Sequence, residues 1–292
     1  MINISKIKND VLAGLATSLA MVPEAIAFAF AAGLSPIVGL HTSVLIGLCA
    51  AIFGGRPGMI SGAAGSIAVV FAALVGSHGV EYLFATVVLM GLFQIFIGIF
   101  KLGKFSRMIP HPVMLGFVNG LAIVIFLSQI PMLQSETPDG KWGWMSGTWL
   151  ADSSLWIMLG LVGLTMAIIR FLPMVTTAIP SALVAIVVVS LMVIGLDLET
   201  LTVVDFLRDK TGDVNATIAA GLPEFHIPMV PLNLDTLVII FPYAVILAAI
   251  GLIESLLTLT LIDEITDTRG RGNKECVGQG VANVATGFFG GM

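Results

Sequence analysis

Two acids lie where a chain built to leave water has no ordinary use for charge. The stretch "AMVPEAIAFAF", residues 20–30, sets Pro23 beside Glu24 in an apolar run from Val11 to Leu34 that holds no other charge. The stretch "LIESLLTLTLIDE", residues 252–264, sets Glu254 ahead of Ser255 and Thr258. A carboxylate at the middle of a spanning helix costs about 2.5–3.5 kcal/mol on insertion scales, so it needs a partner, a proton or a water-filled cavity. Pro23 removes a backbone N–H and frees the carbonyl one turn earlier, near Leu19. Freed backbone at that depth is tolerated where it lines a cavity. Pro23 and Glu24 are therefore expected to mark a bend facing a polar site; the alternative is a structural kink with a neutral Glu24 bonded to a neighbouring helix. Glu254 and Thr258 stand four apart and share a helix face. A carboxylate with a hydroxyl is a hard oxygen set, suited to Na⁺ or to holding a proton. The alternative for Glu254 is an ion pair with a loop residue, while Asp263 and Glu264, further on, are expected to be solvated.

A third stretch, "SGAAGSIAVV" at 61–70, is rich in small residues. Such residues let helices approach closely. They also suit a half-helix starting near Ala64, Gly65 and Ser66 inside a membrane, whose free N–H groups carry partial positive charge and bind anions. Broken helices at the midplane serve transporters in this way.

The elements that would position these groups follow from composition. Of 292 residues, 57% are hydrophobic and 11% charged, and the mean hydropathy is +1.04. Soluble domains average about 25% charged. The apolar blocks are long enough to cross a bilayer as helices, and too long for barrel strands. The predicted class is an all-α polytopic membrane protein. Candidate spans are 11–34, 36–54, 59–76, 81–100, 110–133, 155–173, 178–196, 235–262 and 276–292. Placing the N-terminus inside puts ten of the 13 Lys and Arg on the inner side, as the positive-inside rule requires. Polar segments 134–153 and 198–233 then face outward, with the Trp-rich "KWGWMSGTW" at 141–149 at the outer interface and a sequon-like Asn215-Ala216-Thr217 read as accidental. No basic stripe for nucleic acid is seen, and no secretory signal ends the first block. Cys49, in an apolar block, and Cys276, in a polar loop, are expected to be reduced and unpaired. No metal cluster, nucleophile–base set or phosphate loop is evident, and His41, His78, His111 and His226 show no ligand spacing. The chain is read as a transporter and not an enzyme.

The stretches "VPEAIAFAFAAGLSPIVGLHTS", "FGGRPGMISGAAGSIAVV", "GLFQIFIGIFKLGKFSRMIPHPVMLGFVNGLAI" and "ECVGQGVANVATGFFGG" together resemble the SulP anion transporter family, bacterial relatives of solute carrier family 26. The likeness runs along nearly the whole chain. It implies a uracil-permease-like fold of 7+7 inverted repeats, of which these spans match segments one to nine. On that pattern residues 1–105 belong to a core subdomain, 106–198 to a gate, 199–234 to an outer loop and 235–292 to an incomplete return of the core. The rest of the second repeat and a STAS domain would lie beyond this chain. The resemblance places the anion between inward-pointing ends of short segments, with Glu24 at the substrate-facing bend, Phe28 on the pocket aromatic, and Ala64, Gly65 and Ser66 at the start of segment three. Ser255 joins these as a substrate-side residue. Ala64 stands where bicarbonate-type members carry Thr, and Ser66 where they carry Pro, which leaves bicarbonate specificity open. Glu254 and Thr258 match the acid and hydroxyl proposed to bind Na⁺, and Glu24 an acid linked to proton coupling.

An oxyanion beside two carboxylates is repelled unless one is neutralised, so cation and anion should bind together. The expected function is elevator-type symport of sulfate or bicarbonate with H⁺ or Na⁺, in the plasma (inner) membrane with a cytoplasmic N-terminus. No cofactor is expected beyond Na⁺ as coupling ion. Relatives are often dimers, which allows for a homodimer of the full-length protein. Rival readings are a nucleobase:cation symporter of the same fold, and an uncoupled anion exchanger or channel.

Overall fold

The structure, a computed structural model, describes residues 4–104, 111–135, 148–150, 152–176, 179–198, 200, 202–211, 215, 217–218 and 221–292. Helix α1 covers Ile4–Ala31 and continues through Pro23. Helix α2, Pro36–Phe53, opens on a proline, whose missing N–H costs nothing in the first turn. Residues 59–64 are not helical. The span expected at 59–76 becomes helix only from Gly65, as the shorter α3, Gly65–His78. Gly79, at φ 91°, separates it from α4, Val80–Ile99. A backbone in that region favours glycine. Helix α5 covers His111–Ser128. A 3-10 turn, Ile130–Leu133, leads into strand β1, Gln134–Ser135, which pairs antiparallel with β2, Thr148–Trp149. Residues 136–147, with most of the Trp-rich stretch, lie outside the described residues; Trp149 is exposed. Helices α6, Asp152–Val175, and α7, Ser181–Gly195, follow.

Polar segment 198–233 contains a short helix, α8, Val203–Thr211. Thr202 and Asp205 cap it reciprocally. The Thr202 N–H and hydroxyl donate to Asp205 Oδ2 at 2.9 and 2.6 Å, and the Asp205 N–H donates back to Thr202 Oγ1 at 3.3 Å. This is a capping box, and those donors hold the Asp205 carboxyl below its ordinary range. Helix α9, Leu234–Thr266, starts at Asn233, whose side chain accepts from the Thr236 N–H, and ends at Asp267 in the left-handed region. Helix α10 covers Gly272–Phe288. Cys276 is therefore not in a polar loop: it lies within α10 and is fully buried, because that helix begins four residues before the span expected at 276.

Among the described residues, five helices are long and apolar enough to cross a membrane, and α3 and α7 are shorter apolar helices. Many large apolar side chains on them face outward, among them Val11, Leu15, Phe96, Met166 and Ile194. That pattern suits lipid, where backbone groups are satisfied within each helix and side chains need no water.

The chain forms two compact units. One holds residues 1–22 and 126–217, the other 23–125 and 218–292. In the first, α6 packs against α7. In the second, α10 packs against α4, α2 and α9, and α3 against α4 and α9. Its apolar centre joins Ala29, Phe71, Leu74, Val87, Met90 and Leu247. Backbones of α4 and α10 come close along a glycine seam. A Cβ on Gly91 would sit 2.6 Å from the Gly280 carbonyl, and one on Gly280 2.6 Å from the Gly91 carbonyl. Small residues permit that approach between helices.

Two polar clamps fix this second unit. Arg56, after α2, pairs with Asp263 at 2.5 Å. It also donates to Thr266 Oγ1, to Thr268 Oγ1 at 2.8 Å, and to the Ile262 and Thr268 carbonyls at 3.2 Å. Asp263 is thus not solvated as expected; its side chain is 18% exposed, since the turn after α9 folds it onto Arg56. At the other end, Glu81 on α4 receives the Met229 N–H at 2.7 Å and stands 3.0 Å from His226 Nε2. The His226 N–H donates to the Phe288 carbonyl at 2.6 Å.

Candidate functional site

A cavity of about 430 Å³ lies within the second unit. Glu24 and Phe28 of α1 line it, as do the non-helical residues 59–64, Gly65 and Ile67 of α3, and Gly251, Glu254, Ser255 and Thr258 of α9. The two acids thus share one cavity, Glu24 exposed and Glu254 half-buried, with the start of α3 between their helices in sequence and beside both in the cavity wall. Gly251, Glu254, Ser255 and Thr258 recur at three- and four-residue spacing, which puts them on one face of α9.

Ala64 caps α3 without any side-chain hydrogen bond. The first backbone bond of the helix runs from the Ala68 N–H to the Ala64 carbonyl. The N–H groups of Gly65, Ser66 and Ile67 therefore have no acceptor inside the helix, and this end carries partial positive charge. Gly65 packs closely: a Cβ there would lie 2.7 Å from the Phe28 ring, which would have to shift. The Ser66 hydroxyl donates to Glu254 Oε1 at 2.6 Å, so Ser66 serves the carboxylate in this conformation.

The other expected hydroxyls are placed differently. Thr258 donates to the backbone carbonyl of Glu254 at 3.0 Å, not to its carboxylate. Ser255 lines the cavity, yet its hydroxyl donates to Glu275 Oε1 at 2.7 Å.

Sequence reasoning missed a row of polar residues on α10 and one on α4. Glu275 is 2% exposed. It receives the Gly55 N–H at 2.7 Å, Ser255 at 2.7 Å and Gln279 Nε2 at 2.8 Å. Gln279 also donates to Ser61 Oγ at 2.6 Å. Asn283 donates to Gln94 Oε1 at 2.7 Å. Gln94, Gln279 and Asn283 all line the cavity. Glu275, Gln279, Asn283 and Thr286 follow spacings of four, four and three, a polar face that the sequence pattern of α10 carried openly.

The chemistry of this lining is specific in kind. Two carboxylates can hold protons or a hard cation, while a helix N-terminus and amide groups can receive oxygen atoms of an anion. Among the described residues no group of three or more His, Cys, Asp or Glu is set to hold a metal ion.

The family model described as the sulfate permease family matches residues 7–292. The putative sulfate transporter YbaR of Bacillus subtilis (strain 168) is 46% identical over 98% of this chain and 54% of its own length. A bicarbonate transporter, BicA of Picosynechococcus sp., is 33% identical over 100% of this chain and 52% of its own. The chain thus spans about half the length of the curated relatives it matches. The solved transmembrane domain of a cyanobacterial bicarbonate transporter BicA superposes with a TM-score of 0.77 at 32% identity, covering 100% of this chain and 74% of that one. Murine Solute Carrier 26 family member A9, an anion transporter in the inward-facing state, gives a TM-score of 0.67 at 16% identity over 97% of this chain and 50% of its own. That last likeness shows the fold alone.

Proposed function

The chain belongs to the sulfate permease family, and from that premise we propose that the protein is a secondary active transporter of a small inorganic anion, sulfate or bicarbonate, driven by H⁺ or Na⁺. The family is one of permeases, not enzymes, and its relatives are named as transporters. The observation that carries the proposal is that Glu24, Glu254 and the uncapped start of α3 line the same cavity.

Electrostatics supplies the coupling. The α3 N-terminus attracts the anion, while each ionised carboxylate repels it. At about 5 Å and an effective dielectric of about 20, each such pair costs on the order of 3 kcal/mol. A proton on Glu24, or Na⁺ held by Glu254, removes that cost. Cation and anion then favour each other's binding, and the coupling is reciprocal. The loaded site crosses the membrane by an elevator-type movement of the helices that bear it. Ser66 has two uses in this scheme: it steadies Glu254 while the site is empty, and its backbone N–H remains free for the anion.

Uptake by the full-length protein in proteoliposomes tests the proposal. Labelled sulfate or bicarbonate should accumulate when an inward H⁺ or Na⁺ gradient is imposed. Glu24→Gln and Glu254→Gln should remove the dependence on H⁺ and on Na⁺, respectively. Uptake that ignores both gradients and both substitutions would rule out cation coupling.

A further inference from the structure

We propose that Gln94 on α4 selects the transported anion, its side-chain NH₂ group donating to an anion oxygen while Asn283 on α10 holds the amide in that attitude. This rests on the anion-transport reading above and names a recognition group within it.

Gln94 is 0% exposed, and it lies in the cavity wall. Its Oε1 is occupied by the Asn283 amide at 2.7 Å. Its Nε2 has no hydrogen-bond partner among the described residues. A buried donor left unpaired costs about 1–3 kcal/mol. Because Asn283 takes the carbonyl end, the donor end is left unpaired in the cavity wall.

Gly251 packs against that donor, and its missing side chain leaves the thinnest cover over it. A Cβ at that position would lie 3.1 Å from Gln94 Nε2. Glu254 follows one turn later on the same face of α9, so the donor and the carboxylate border neighbouring parts of the cavity. The Gln94 amide is neutral. It adds no positive charge that would hold an anion without the cation, and it rewards an acceptor oxygen at a fixed place. A site built this way favours oxyanions over a halide, whose single charge has no directed oxygen to offer.

The test uses the full-length protein in proteoliposomes, with labelled sulfate and labelled bicarbonate as probes and chloride as competitor. Saturable wild-type uptake of either probe supports the reading on which this inference rests. If wild type takes up neither, that reading fails and the inference falls with it. With wild type active, Gln94→Met keeps the volume and removes the donor. It should raise the KM for the oxyanion about tenfold, leave the maximal rate within about threefold, and make chloride a better competitor. Asn283→Ala, which frees the amide to turn, should raise KM by a smaller factor. Should Gln94→Met fail to fold, Gly251→Ala decides. It leaves Gln94 in place and sets a methyl group against its NH₂, so KM should rise while the maximal rate holds. An unchanged KM in folded Gln94→Met overturns the assignment. So does a fall in maximal rate alone, or an unchanged KM in Gly251→Ala where Gln94→Met does not fold.

Discussion

Ser66, in the first turn of α3, donates its hydroxyl to Glu254 on α9 across 2.6 Å. The bond ties the start of a half-length helix to an acid in the middle of a long one. It also orients the carboxylate, leaving Oε2 for another partner.

Ser66→Ala removes that orientation without removing the charge. A hydrogen bond to a charged group contributes about 1.5–3 kcal/mol. On the coupling scheme, the Na⁺ concentration that half-saturates uptake should rise roughly tenfold. The sulfate KM measured at saturating Na⁺ should change little. Uptake kinetics over a Na⁺ series check both statements, and a rise in sulfate KM alone would assign Ser66 to the anion instead.

Arg56 and Asp263 hold the turn between α2 and α3 to the end of α9, with side chains 6% and 18% exposed. Removing one partner of a buried pair costs about 3–5 kcal/mol, because the other charge is left uncompensated. Arg56→Ala should lower the melting temperature of the purified protein in detergent. Arg56→Lys should recover little of it, since one ammonium cannot reach the carboxylate, both threonine hydroxyls and two carbonyls together. A lysine variant melting with wild type would show the charge alone to suffice.

The glycine seam between α4 and α10 predicts a steep size dependence. Each of Gly91 and Gly280 faces the other's carbonyl at a distance that leaves no room for a side chain. Gly280→Ala should destabilise the protein by about 1–3 kcal/mol through overpacking, and Gly280→Val by more. Thermal melts compared with Gly14→Ala, at a position with open space around it, measure the difference. Equal losses at Gly280 and Gly14 would mean the helices can part at no cost.

Much of this was legible in the sequence. Glu24 and Glu254 stood out because an ionisable group in an apolar run needs a reason, and both border the cavity. The start of α3 was marked by a run of small residues, Ser61 to Ser66, broken by two glycines. Composition and block length gave the membrane class. The uncharged polar residues were harder. Gln94 interrupts an apolar run without a charge, and an amide there raises no alarm until its partners are known. Gly91 and Gly280 were hidden for the opposite reason: among 32 glycines, a seam is visible only once the two helices are side by side. Asp263 looked solvated because its partner, Arg56, lies more than two hundred residues away in the chain.

The central claim is that bound positive charge on Glu24 or Glu254 is what admits the anion to their common cavity. Equilibrium binding of labelled sulfate or labelled bicarbonate to the purified full-length protein, followed as pH is lowered and as Na⁺ is raised, measures it directly. The account predicts affinity for at least one of these anions that climbs with H⁺ or Na⁺ and loses that dependence when the responsible carboxylate is replaced by Gln. Binding of whichever anion binds that stays constant across both titrations in wild type would contradict it.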